Sequence, residues 1–143
     1  MAMAQETHTT PSNTKWNIGL WVAQVALAAL YGMAAYMKLL MSPAELVQMG
    51  LLWVENAPIA LVRGIGFAEL LGTIGLILPA ATRIKPELTT LAALGLFVIQ
   101  VLAIGFHMMR GEFSVLPFNL IYIALAAFVL WGRSKKAPIA PRG

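Results

Sequence analysis

Apolar residues run along this chain in four long blocks, at about 18–40, 58–79, 88–109 and 115–132, separated by short polar segments. Each block is close to the roughly 20 residues an α-helix needs to cross the about 30 Å hydrocarbon core of a bilayer. The pattern predicts four spans. The connections around Arg83–Glu87 and Arg110–Ser114 are short enough to be tight turns, so neighbouring helices run antiparallel. The second block is expected to stop at Pro79, since proline cannot supply the next helical N–H.

The first connection is longer and reads SPAELVQMGLLWVENAP, residues 42–58. Ser42, Pro43 and Glu45 have the order of a capped helix start. The segment is too short to span, and Trp53 suits an interfacial depth. It predicts a short helix on the membrane surface or folded over the bundle. The fold class is therefore all-α: a polytopic membrane protein, an antiparallel four-transmembrane-helix bundle with a short interfacial helix between the first and second spans. Residues 1–16 read as a flexible polar tail, 17–133 as the transmembrane domain and 134–143 as a basic tail. The first apolar run follows sixteen polar residues, which is the pattern of a span and not of a removed signal.

Composition narrows the chemistry. Of 143 residues, 59% are hydrophobic and 11% charged. Four spans use about 80 residues, leaving no room for a soluble catalytic domain. The absence of cysteine excludes disulfides, thiolate nucleophiles and iron–sulfur clusters. Two histidines, one of them His8 in the tail, exclude an all-histidine metal site. All six acids are glutamates. The net charge of +4 does not point to nucleic acid, because the basic residues cluster at helix ends. With both termini on one side, that side carries Lys15, Arg83, Lys85, Arg133, Lys135, Lys136 and Arg142, against Lys38, Arg63 and Arg110 opposite. The positive-inside rule then predicts cytoplasmic termini.

A few polar residues fall inside the spans. Glu69 lies near the middle of the second, where a carboxyl must pair or bind a proton. Arg63 lies one and a half turns closer to the outer surface. Lys38, His107 and Asn119 sit at similar outer depth in the first, third and fourth spans. Gln24, Tyr31 and Lys38 recur every seven residues, as do Gln100 and His107, so each set occupies one helical stripe. Arg63, Gly66, Glu69 and Gly72 follow a three-residue ridge, whose glycines allow a neighbouring helix to approach. Turned inward, these stripes enclose a polar pocket open to the outside. Its ligand-binding or proton-handling candidates are Glu69, Arg63, His107, Lys38, Asn119, Tyr31 and Gln100. Structural readings stand beside this one. Lys38, Arg63 and Arg110 can snorkel to head groups, Arg63 and Glu69 can form an ion pair across a rise of about 9 Å, and His107 can bond a neighbouring helix.

The chain from Ile18 to Arg133 resembles the DoxX-like family of small four-helix bacterial membrane proteins. A Lys closes the first span in YGMAAYMKLL. The pattern R-x-x-G-x-x-E-x-x-G-x-x-G-L-x-L-P then runs from Arg63 to Pro79, and A-x-x-x-H-x-x-R-G-E from Ala103 to Glu112. An Asn in the fourth span and Arg133 complete the order. The resemblance implies a bacterial inner (cytoplasmic) membrane protein linked to quinol oxidase or quinone oxidoreduction, and it singles out Lys38, Arg63, Glu69, His107 and Asn119. Three roles follow. The chain is an accessory subunit of a membrane complex, without independent catalysis; or it binds a quinone through its polar pocket, with no other cofactor implied; or it is a small proton-coupled carrier or channel, which needs an oligomer to enclose a path. Expected partners are the lipid bilayer and either other subunits or further copies of the chain.

Overall fold

The computed structural model describes residues 11–142. The first ten residues of the expected flexible tail lie outside the described residues. The elements are α1 (Pro11–Leu40), α2 (Pro43–Gln48), a 3-10 turn (Leu52–Asn56), α3 (Ile59–Thr82), α4 (Glu87–Met109), a second 3-10 turn (Phe113–Val115), α5 (Leu116–Trp131) and a closing π-helical turn (Gly132–Lys136). Four stretches are long and apolar enough to cross a membrane: Thr14–Leu40, Ile59–Thr82, Glu87–Met109 and Phe113–Lys136. The chain is an integral membrane protein, and its spans form a ring in the order α1, α3, α4, α5.

The exposed surface is what a bilayer requires. Val22, Leu71, Leu102 and Phe118 are all exposed, an arrangement that water would penalise and lipid does not. The interior combines Leu27, Tyr31, Leu76, Leu96 and Val129 with small residues such as Ala23, Ala93 and Ala126. Small side chains let helix axes come close where no hydrophobic force distinguishes a helix from lipid. At Gly75 a Cβ would lie 2.8 Å from the Cβ of Ala92, so the α3–α4 contact requires glycine there.

Two boundaries differ from the sequence expectation. Helix α1 begins at Pro11, ahead of the apolar run that starts at 18. Its 30 residues reach about 45 Å, more than the bilayer core, so its first turns extend beyond the apolar band. Tertiary contacts hold them there: Trp16 packs edge-on against Trp131 at 5.3 Å, with Phe128 beside both. Helix α3 continues through Pro79 to Thr82 and does not stop at the proline. Neighbouring groups support the break, as membrane helices allow. Gln24 Nε2 donates to the Leu76 carbonyl (2.7 Å), three residues before the proline and next to the Gly75 carbonyl that Pro79 leaves without its N–H. The helix ends one residue later, where Arg83 takes a left-handed φ of 58°.

The first connection folds over one end of the bundle. The Ser42 hydroxyl accepts from Glu45 N (3.2 Å) and the Glu45 carboxylate accepts from Ser42 N (2.7 Å), a reciprocal capping box. The Ser42 backbone N–H holds the Glu45 carboxyl below the usual range. Leu46 and Val54 then bury against Val62 of α3, and Trp53 meets Phe106 of α4 edge-on at 6.2 Å.

Candidate functional site

The seven-residue stripe of α1 faces inward along its length. Gln24 and Tyr31 are fully buried, and Lys38 ends the row with its side chain 11% exposed. Lys38 is placed by glycine on the facing helix. A Cβ on Gly66 would lie 2.8 Å from the Lys38 Cβ, so α3 offers a groove in which the lysine stem lies. The amine then reaches the next ridge position, Glu69, and donates to both carboxylate oxygens at 3.1 and 3.0 Å. The Glu69 side chain is 5% exposed. Its backbone carbonyl accepts from the Thr73 hydroxyl at 2.8 Å.

Arg63 does something else. Its Nη1 donates to the carbonyls of Lys38 and Met41, the latter at 2.8 Å. These groups lie at the C-terminal end of α1, where helical carbonyls lack partners and the helix dipole favours a cation. The Arg63–Glu69 ion pair weighed from sequence is not formed. Six residues separate the two along α3, and Lys38 meets Glu69 laterally through the Gly66 groove. Lys38 likewise pairs within the bundle and does not snorkel.

Tyr31 and Tyr122 lie near Glu69. Their rings stack edge to face at 4.9 Å. The Tyr31 hydroxyl donates to the Leu96 carbonyl (3.1 Å), and the Tyr122 hydroxyl to the Leu30 carbonyl (3.4 Å). Gln100 lies beside Tyr31 and is buried, and its Oε1 has no partner. Asn119 Nδ2 is a second buried atom without one. Leaving such a group unpaired costs about 1–3 kcal/mol, so these two amides mark places where a further polar group would be stabilised.

His107 turns to its own loop. Its Nδ1 lies 2.7 Å from Glu112 Oε2, while Arg110 Nε donates to Glu112 Oε1 at 2.8 Å. Glu112 N closes the clasp on the His107 carbonyl at 2.9 Å. Hydrogen bonding from His107, followed by that from Arg110, holds the Glu112 carboxyl below the usual carboxylate range. Glu112 was not a sequence candidate, although the motif A-x-x-x-H-x-x-R-G-E contains it five residues after the histidine. Arg133 was also missed as a site residue: it donates to Gln24 Oε1 (2.6 Å) and Asn17 Oδ1 (2.8 Å). Extending the stripe back one heptad from Gln24 to Asn17 would have pointed to it.

The DoxX-like family model matches residues 22–129 of the chain. The protein belongs to the DoxX-like family. Neither the curated proteins nor the solved structures contain a match to it. The matched region of this DoxX-like protein includes Tyr31, Lys38, Arg63, Glu69, Gln100, His107 and Asn119, whereas Asn17 and Arg133 fall outside it.

Proposed function

We propose that this DoxX-like protein is an accessory subunit of a redox-linked membrane complex, and that it holds a quinone-type head group beside the Lys38–Glu69 pair. The observation that carries the reading is the buried, unpartnered Gln100 Oε1 beside Tyr31, joined by a second buried, unpartnered amide atom, Asn119 Nδ2, one helical turn from Tyr122. A quinone carbonyl is an acceptor for Asn119, and the hydroxyl of the reduced form is a donor for Gln100. Glu69 can take a proton from such a ligand only by giving up Lys38, which makes the pair a gate and not a free base. The apolar wall of the bundle suits the rest of the molecule.

Titrating the purified protein with a soluble ubiquinone analogue tests this reading. Saturable binding is expected, weakened at least tenfold, or about 1.4 kcal/mol, by Glu69→Gln and by Gln100→Leu combined with Asn119→Leu. No saturable binding, or equal affinity in all three proteins, overturns it. Gentle extraction tests the accessory role: a co-migrating partner is expected, and migration only as a small isolated protein counts against it.

The distribution of lysine and arginine supports a membrane orientation with the Lys38 end outward and both termini in the cytoplasm. Because the chain has no cysteine, single introduced thiols report this directly. Ser42→Cys should react with an impermeant maleimide in intact cells and Ser134→Cys should not.

A further inference from the structure

The end of the bundle opposite Lys38 holds a second buried cation. Arg133 is 4% exposed. Its Nε is taken by Gln24, its Nη1 by Asn17 and by the Ala137 carbonyl at 2.9 Å, and its Nη2 has no partner. The Trp21 ring lies 5.7 Å from the guanidinium carbon. All these partners are neutral, and among the described residues no carboxylate forms an ion pair with Arg133. A guanidinium removed from water without a counter-charge is costly.

Space for a counter-charge lies next to it. A cavity of about 160 Å³ is bounded by Arg133, by Glu87 and Thr90 at the start of α4, and by Pro138 and Pro141 of the segment that follows the π turn. The N-terminus of α4 adds a positive dipole end to the cavity wall. One residue from Thr90, the Thr89 hydroxyl is buried without a partner. Arg83, Lys85, Lys135, Lys136 and Arg142 also lie at this end of the bundle.

We propose that Arg133 anchors a site for a phosphate-type oxyanion, reached when the 138–142 segment lifts while Ala137 stays bonded to Arg133. That segment lies across the bundle end as a strap. Arg83 holds it by donating to the carbonyls of Ala140 (2.9 Å) and Pro141 (3.3 Å), and the Arg83 carbonyl accepts from Arg142 N (2.7 Å). Two prolines in the strap have no N–H to bind it further. Arg133 Nη2 is buried without a partner, and Arg133 and the strap residues Pro138, Ile139 and Pro141 line the same cavity, so lifting the strap opens the cavity on the Arg133 side. The anion is either the head group of an anionic lipid or a soluble phosphate. Glu87 on the cavity wall repels either one, and its removal should tighten binding.

The test uses the full chain in detergent. Its melting temperature is followed with added inorganic phosphate against chloride at equal ionic strength. In parallel, native mass spectrometry follows retention of phosphatidylglycerol against phosphatidylcholine. Stabilisation by phosphate identifies a soluble anion; selective retention of phosphatidylglycerol without it identifies the lipid. Either response should be at least tenfold weaker in Arg133→Gln and stronger in Glu87→Gln. No response to either probe, or a response unchanged in both variants, overturns the proposal. If Arg133→Gln does not fold, Glu87→Gln decides alone: tighter binding supports the site and unchanged binding refutes it.

Discussion

The two ends of the bundle bury a cation in different ways. At one end Lys38 meets a carboxylate at 3.0 Å and the local charge cancels. At the other, Arg133 is shared among a glutamine, an asparagine and a backbone carbonyl, and among the described residues no carboxylate pairs with it. The same face of α1 serves both, since Gln24 and Lys38 lie fourteen residues apart, about 21 Å along the axis. An apolar solvent demands that a buried charge be either neutralised or well hydrogen-bonded. Lys38 has neutralisation, whereas Arg133 has, among the described residues, hydrogen bonds and the Trp21 ring. The planar guanidinium suits the second solution, because its fork of donors spreads charge over several acceptors.

Breaking the neutral end should have the largest effect. Glu69→Gln leaves Lys38 buried without a counter-charge and should destabilise the bundle by about 3–5 kcal/mol, measured by detergent-induced unfolding. Lys38→Met together with Glu69→Leu should recover most of that loss. At the other end, Gln24→Leu removes an acceptor from Arg133 and a donor from the Leu76 carbonyl. Its cost should be smaller, about 1.5–3 kcal/mol for hydrogen bonds to a charged group. If Gln24→Leu costs as much as Glu69→Gln, the contrast between the two ends fails.

Gly66→Ala sharpens the comparison without touching a charge. The added methyl meets the Lys38 stem, and overpacking of this kind costs about 1–3 kcal/mol. Cross-linking between α1 and α3 should report a wider separation, whereas the Arg133 end stays unchanged. The smallest effect belongs to the clasp at Glu112. Its carboxyl lies below the usual value of 4.5 in the folded protein, so its contribution is complete above that pH and is lost as pH falls through the lower folded value. Protection of the Gly111–Ser114 amides, measured against the exchange rate of the unstructured chain at each pH, should fall in that acid window, and Glu112→Gln should remove this change in protection.

Much of this architecture was readable in the chain because a bilayer leaves few alternatives. The length of the apolar blocks set the number of spans, the short connections set their antiparallel order, and Ser42 and Glu45 announced α2. The stripe of Gln24, Tyr31 and Lys38 was legible for the same reason: with a helix certain, seven-residue spacing means one face, and polar groups avoid lipid. The partners of those residues were not legible. Spacing along α3 offered Arg63 as the partner of Glu69, and the pairing with Lys38 instead turned on how α1 and α3 meet at Gly66. His107 was grouped with the pocket by depth, yet its turn carried a closer acceptor in Glu112.

The sequence by itself determined the solvent, the number of helices and which face of α1 turns inward, because apolar length and helical period are local properties of the chain. Only the tertiary structure decided which charges meet. Register between helices depends on close approach at a few small residues, and a shift of one turn, about 5.4 Å, would exchange one partner for another. The same packing let α3 pass through Pro79, carried α1 back to Pro11, and buried Arg133 against Gln24, Asn17 and the Ala137 carbonyl.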